Sequence, residues 1–319
     1  MKDLINRRNF LRSSVLASTS ICTGLPLSGM EFFQNNIAFR KEGSFSFNLG
    51  DFACVCLSDG GHSYKVEDFF SNVPTNLAIE ELHKKGFQTD NIWTPYTHLY
   101  INTGENHVLI DMGAGQLFNT TGELLTNMDI AKIQPESIDK IIITHAHPDH
   151  IGGALDQTGN PAFPNAEYFI WKGEWDFWYS KEAFEKAPRI FIELAQKNLD
   201  PLKDLMHFID HESDILPGIK MISAPGHTPG HAVVAISSGA ESLFYIGDVV
   251  LHPLHLENPD WLPIYDIIPE KAAQSKQKIC NLLSETDAWV IGQHFPPFPS
   301  LGHVTRHESG WEWLPRKNS

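Results

Sequence analysis

The sequence predicts an α+β protein in which two packed β-sheets are flanked by helices. Predicted strands fall into two clusters along the chain, and predicted helices lie between and after these clusters. With 319 residues, of which 42% are hydrophobic and 20% charged, the chain is large and apolar enough to bury a core. Disordered, collagen-like and coiled-coil architectures are therefore excluded.

The first cluster begins with a β-branched and aromatic run at residues 45–57, which predicts one strand closed by a Ser-Asp-Gly-Gly turn at 58–61. Two apolar runs around a Thr-Gly-Glu-Asn turn predict a hairpin, and segments 67–87 and 130–138 fit helix, turn or loop. Apolar spacing predicts helices at 182–198 and 269–283. The remaining predicted strands are residues 97–102, 107–111, 140–144, 169–171, 221–223, 232–236, 243–246 and 289–291.

Residues 1–30 are predicted to be an export signal. Arg7 and Arg8 begin an Arg-Arg-Asn-Phe-Leu-Arg stretch that resembles the twin-arginine motif, and a mild apolar run at 13–27 follows. This run is too short and too rich in Ser and Thr to span a bilayer. We therefore expect a periplasmic or secreted protein with a single domain at 44–316; a disordered basic tail is the alternative.

The formal net charge is −15, from 24 basic and 39 acidic residues. This charge disfavours nucleic acids and anionic membrane surfaces as partners, because both require basic protein surfaces. No two of the four cysteines are spaced as a Cys-x-x-Cys pair, which disfavours a disulfide scaffold.

A cluster of metal-ligating residues follows the predicted strand 140–144. His145 and His147 are two residues apart and point the same way on an extended segment, while Asp149 and His150 follow a proline turn. Imidazole and carboxylate groups at this density are typical ligands of Zn²⁺ and other borderline divalent metals.

Three later residues occupy comparable positions just beyond predicted strands. His227 lies in a loop rich in Gly and Pro, Asp248 follows strand 243–246, and His294 follows strand 289–291. Each would be unremarkable alone, but together with the earlier cluster they complete a ligand set for two metal ions.

These motifs resemble the metallo-β-lactamase superfamily of hydrolases over roughly residues 45–315. The resemblance implies an αββα sandwich that holds two Zn²⁺ ions, or other divalent metals, at one edge of its two sheets. It also implies structural support near the site from the Asp-Met-Gly turn that begins at Asp111. The implied ligands are His145, His147 and His227 for one ion, Asp149, His150 and His294 for the other, and Asp248 as the bridge.

The resemblance also implies a reaction. A hydroxide bridging two Zn²⁺ ions would act as the nucleophile at neutral pH, with Asp149 or Asp248 as the candidate catalytic group that transfers a proton. Segments 163–166, 171–179 and 294–303 resemble the methyl parathion hydrolase and lactonase-like subgroup. That subgroup implies a homodimer and a small uncharged lactone, ester or organophosphate triester as substrate. The alternatives are an iron-dependent thiol dioxygenase, a glyoxalase II-like thioesterase and an inactive metal-binding module.

Aromatic residues near these motifs are candidates for an apolar substrate pocket. Trp171, Trp175 and Trp178 share one helical face, and Phe295 and Phe298 follow a candidate ligand. Trp175, Trp178, Phe295 and Phe298 are therefore the candidate pocket residues, with ordinary core packing as the alternative. The additional histidines His231, His252, His255 and His303 either orient ligands or have ordinary core and surface roles.

Overall fold

The computed structural model describes residues 43–87 and 91–316, so the predicted export signal lies outside the described residues. The described residues form two seven-stranded sheets. The first sheet contains β1 Ser44–Leu49, β2 Phe52–Lys65, β3 Asn91–Asn102, β4 His107–Ile110, β5 Lys140–Ile143, β6 Glu167–Trp171 and β7 Met206–Ile209, in this spatial order. The second contains β8 Ser213–Leu216, β9 Ile219–Ser223, β10 Ala232–Ser238, β11 Glu241–Tyr245, β12 Trp289–Ile291, β13 Leu301–His307 and β14 Gly310–Pro315.

Both sheets are mixed. Strands β4 to β7 pair in parallel, as do β11 and β12, and the other neighbours are antiparallel. Among the described residues, no helix has the length and apolar character needed to cross a membrane. The helices are α1 Val66–Phe69, α2 Thr75–Lys84, α3 Leu124–Ile130, α4 Pro148–Ile151, α5 Lys172–Trp178, α6 Lys181–Lys186, α7 Arg189–Leu199, α8 Leu254–Glu257 and α9 Pro269–Ser284, with 3₁₀ turns at Pro135–Ser137 and Asp200–Leu205.

Alternation along the strands divides the core into layers. In β5, Ile142 packs between the sheets with Val234 of the second sheet, whereas Ile141 and Ile143 face the helices outside the first sheet. On the other side, α9 covers the second sheet through residues such as Ile279. The helix–sheet–sheet–helix order confirms the predicted α+β sandwich.

Two predicted elements, the strand at 45–57 and the helix at 182–198, are each divided into two elements in the structure. Residues 45–57 form β1 and β2 rather than one strand, because Gly50 adopts φ +55° and the chain reverses there. The predicted closing turn at 58–61 is an irregularity in the pairing of β2 with β3, and β2 continues beyond it. Residues 182–198 form α6 and α7, because α6 ends before Pro188, which lacks a backbone N–H, and α7 begins directly after it at Arg189.

Four strands were not predicted. β7 and β8 are short and partly exposed, so they lack the buried apolar run that predicts a strand. β13 and β14 form a terminal hairpin that completes the second sheet. The strand predicted at 97–102 is β3, which begins six residues earlier, at Asn91. The other predicted strands and the helix at 269–283 are present within a few residues of the predicted bounds.

Candidate metal centre

Seven buried or nearly buried side chains converge where strands of both sheets end. β5 leads into His145 and His147, β9 precedes His227, and β11 and β12 lead into Asp248 and His294. Pro148 occupies the first turn of α4, where its missing N–H costs no hydrogen bond, and that helix carries the remaining two. The structure thus brings together His145, His147, Asp149, His150, His227, Asp248 and His294.

These side chains form two groups that share one residue. In each group the candidate ligand atoms lie within 4.8 Å of one another. One group is His145, His147, His227 and Asp248, and the other is Asp149, His150, Asp248 and His294. The partition is the same as the one implied by the family resemblance.

Asp248 lies between the two groups and presents a different oxygen to each. Its Oδ2 lies 3.2 Å from Nε2 of His227 and 3.7 Å from Nε2 of His145. Its Oδ1 lies 3.3 Å from Nε2 of both His150 and His294. A carboxylate in this position can contact a cation in each group at once.

Several polar atoms at the centre are buried without a hydrogen bond. Among the described residues, Nε2 of His145, Nε2 of His150 and Oδ1 of Asp248 have no hydrogen-bond partner. Buried polar atoms without partners are costly and rare in proteins. Because these nitrogens and this oxygen belong to the ligand groups, bound metal ions would satisfy them, so the residues present fit a dinuclear metal site.

Two further carboxylates orient the histidines. Nδ1 of His150 lies 2.8 Å from Oδ2 of Asp111, and Nδ1 of His227 lies 3.0 Å from Oδ1 of Asp266. A proton on each Nδ1 would be donated to the carboxylate, which leaves the Nε2 lone pair for a metal. The prediction identified Asp111 as structural support, whereas Asp266 was missed because no local motif marks it.

Backbone geometry holds Asp111 in its place. This residue adopts φ +59°, a conformation that is uncommon outside glycine. Its carboxylate also accepts hydrogen bonds from the backbone N–H and the hydroxyl of Thr144, both at 2.8 Å. The hydrogen bonds thus connect the strand end that carries His145 to the carboxylate that orients His150.

His231 positions Asp248 through the backbone. The N–H of Asp248 donates to Nε2 of His231 at 3.0 Å, which fixes the other ring nitrogen, Nδ1, as the protonated one. His231 therefore orients a candidate ligand, one of the two roles considered for it. His252 and His255 pack against Phe70. Nδ1 of His303 donates to the carbonyl of Ala288 at 3.0 Å, and its ring packs against Trp289. None of these three histidines belongs to a ligand group.

Electrostatics inside the centre favour a charged carboxylate at Asp149 and charged imidazoles at His227 and His294, whereas burial lowers the pKa of His145 and His147. Burial would raise the pKa of Asp149, but the imidazoles of His150 and His294 outweigh it and lower that pKa to about 2. Burial would lower the pKa of His227 and His294, but Asp248 and neighbouring carboxylates raise both to about 9. The carboxylates of the site therefore stabilise positive charge.

The candidate pocket residues occupy different environments. Trp178 is fully buried with its ring 5.7 Å from that of His147, and Trp175 is partly buried and stacks on Tyr179. Phe295 is fully buried against Trp313, and Phe298 packs beside the core between the sheets. A pocket role for these four residues stays a prediction. Two unpredicted aromatic rings lie closer to ligands: Phe191, 5.3 Å from His147, and Tyr96, 5.1 Å from His294.

This chain is similar to proteins that are named as lactonases and hydrolases. The structure of AidC, a dizinc quorum-quenching lactonase in complex with a homoserine product, is 30% identical, covers 87% of this chain and 98% of that one, and has a TM-score of 0.82. The structure of hydrolase AbOPH is 28% identical, covers 87% and 99%, and has a TM-score of 0.81. An N-acyl homoserine lactonase from a Bacillus species is 28% identical over 158 residues, which is 43% of this chain but only 56% of that relative.

The sequence profile of the metallo-beta-lactamase superfamily matches residues 95–312, about two thirds of the chain. This range contains every residue of the two ligand groups. The chain therefore belongs to the metallo-beta-lactamase superfamily and is a metal-dependent hydrolase with a dinuclear metal site.

Proposed function

We propose that this protein is a dinuclear zinc hydrolase that opens a small, uncharged lactone. The observation that carries the proposal is the position of Asp248, whose two oxygens face different imidazole groups at 3.2–3.7 Å. This arrangement suits two cations held side by side. The substrate class follows from the lactonases among the relatives, one of which has a homoserine product bound.

The ligand types support zinc as the metal. Five imidazoles and two carboxylates form the two groups, and zinc readily takes both types of ligand. A thiolate-dependent site is disfavoured, because the described cysteines, Cys54, Cys56 and Cys280, are buried elsewhere in the core. The seven-residue set also favours a hydrolase over the iron-dependent alternative, which is expected to have fewer ligands.

The chain itself would supply positioning and proton transfer. When bound, two Zn²⁺ ions would activate a water molecule for attack and polarise the lactone carbonyl. The side chain of Asp149 is 14% exposed, whereas that of Asp248 is 4% exposed and lies between the groups. Asp149 is therefore the better placed of the two to accept a proton at its carboxylate and return it to the leaving ring oxygen.

The charge of the protein supports a neutral substrate. The chain carries a net charge of −15, from 24 basic and 39 acidic residues. A phosphomonoester or a nucleic acid would be repelled by such a surface, whereas a lactone would not.

The test compares two substrates on the zinc-loaded protein. N-hexanoyl homoserine lactone is followed by proton release, and an aryl phosphotriester is followed by phenolate absorbance. We expect lactone turnover with a slower triester reaction. A dominant triester rate would identify an organophosphate hydrolase instead, and a protein with two bound metals that turns over neither substrate would refute the proposed substrate class.

We also propose that the protein is exported by the twin-arginine route, on the basis of Arg7 and Arg8 and the mild apolar run that follows them. Fractionation of cells that produce the full chain tests this proposal. Replacing both arginines with lysine should leave the protein in the cytoplasm. Equal export of the variant and the wild type would contradict it.

A further inference from the structure

Glu174 is a fully buried carboxylate that accepts four hydrogen bonds, although it belongs to neither ligand group. Its Oε1 accepts from the N–H of Ala146 at 2.9 Å and from Nε1 of Trp178 at 2.6 Å. Its Oε2 accepts from the hydroxyl of Thr228 at 2.5 Å and from the N–H of Gly230 at 3.0 Å. Both oxygens are thereby satisfied by donors that are themselves buried or nearly so.

Three of these donors belong to the loops that carry metal ligands. Ala146 lies between His145 and His147, and Thr228 directly follows His227. The first loop leaves β5 of the first sheet, and the second joins β9 to β10 of the second sheet. One carboxylate on α5 therefore connects ligand loops from both sheets.

The backbone of α5 also fits closely against the second loop. A Cβ added at Gly230 would lie 2.0 Å from the backbone nitrogen of Glu174, so only glycine permits this approach. Gly230 is followed directly by His231, which accepts the hydrogen bond from the backbone of Asp248. The connection made by Glu174 thus extends to the bridging residue.

We propose that Glu174 is a positioning residue that holds the loops of His145, His147 and His227 at the spacing required by one metal ion. The inference rests on the proposed dinuclear function, since it assigns a role within the same centre. Hydrogen-bonded groups behind metal ligands generally change metal affinity 10- to 100-fold when they are removed. Glu174 acts on the backbone of the loops rather than on a ligand ring.

The test is metal affinity in Glu174→Gln, measured by competition with a chromophoric chelator for Zn²⁺ well below the unfolding temperature. Glutamine keeps the shape of the side chain but replaces one acceptor oxygen with a donor that faces other donors. We expect one of the two binding steps to weaken about 10- to 100-fold. The absorption spectrum of the Co²⁺-loaded protein should change with it, because the ligand geometry changes.

Two further variants make the result specific. Asp176→Asn makes the same chemical change on an exposed face of α5, where the carboxylate pairs with Lys172, and should bind metal as the wild type does. Thr228→Val removes one of the four donors and should weaken the same binding step measurably, but less than Glu174→Gln does. This variant provides the test if Glu174→Gln does not fold.

A purely structural role predicts a different outcome. In that case Glu174→Gln would unfold at a lower temperature while its folded form kept both the Zn²⁺ affinities and the Co²⁺ spectrum of the wild type. That result, or unchanged affinity in Thr228→Val, would overturn the proposal. Because metal affinity is measured rather than lactone turnover, a wrong substrate assignment would not alter the conclusion.

Discussion

Replacing Asp248 with asparagine is expected to weaken both metal-binding steps and to abolish most of the activity. An amide offers one oxygen and no charge, so one group would face an NH₂ instead of the oxygen now 3.2–3.7 Å away. The other group would keep an oxygen, but that oxygen would belong to a neutral amide and would bind a cation more weakly. Removal of groups that only support ligands costs 10- to 100-fold in metal affinity. The loss of a shared ligand should reach at least 100-fold, which is about 2.7 kcal/mol.

Asp149→Asn provides the matched comparison, because Asp149 belongs to one group only. Chelator competition should show one weakened step in Asp149→Asn and two in Asp248→Asn. Lactone turnover should fall in both variants, because each loses a ligand carboxylate. An Asp248→Asn protein that binds two ions with wild-type affinity and retains the wild-type rate would refute the bridging role.

Three other perturbations follow from the structure. Chelation of the metals should lower the unfolding temperature, because a ligand at 100 times its Kd stabilises the fold by about 2.7 kcal/mol. Added Zn²⁺ should restore the unfolding temperature. An unchanged temperature would contradict a metal centre. Burial raises the pKa of Asp59 from 3.8 to about 7 in the folded protein. Between these two pH values the folded protein holds a proton that the unfolded chain has released, so the free energy of unfolding falls as the pH rises. Chemical denaturation compares the free energies of unfolding of the metal-free wild type and Asp59→Asn. The wild type should lose up to about 4 kcal/mol relative to the variant between about pH 4 and 8. A constant difference would contradict the raised pKa. Gly113→Ala should lower the free energy of unfolding by about 2 kcal/mol in the same assay. Gly113 has φ +78°, and the new Cβ would lie 2.8 Å from the Asp59 carboxylate. A variant as stable as the wild type would show that the turn can relax.

The strands that could be predicted are those whose signal is local. Strand β5 is a continuous Ile run buried on both faces, and its end is marked by the histidine cluster. The division of residues 45–57 depends instead on Gly50, where a single turn residue outweighs the β-propensity on both sides. β7 pairs with β6, which is distant in sequence, and no local pattern reveals that pairing. β8 pairs with β9, which directly follows it, but its residues are only partly buried and so lack an apolar run.

The same distinction separates the predicted and the missed residues of the metal centre. His145 and His147 are identified by their spacing, because ligands on one extended segment must alternate. Asp266 and Glu174 were missed because they lie 39 and 28 residues from the groups they contact. A buried charged residue within the aromatic stretch 171–179 is an unusual composition, and this was the only available signal for Glu174.

The charges around the centre explain why its supporting residues are carboxylates. Two divalent ions would bring a charge of +4, and Asp149 and Asp248 in the ligand groups supply −2. Asp111 and Asp266, each one hydrogen bond behind a histidine, add further negative charge around the site. In the metal-free chain, a proton on His294 supplies part of the positive charge that the ions would bring, since Asp248 and its neighbours raise the pKa of His294 to about 9 against the effect of burial. The carboxylates behind the ligands therefore do more than orient rings: they balance the metal charge inside a buried site, where an uncompensated charge would be costly.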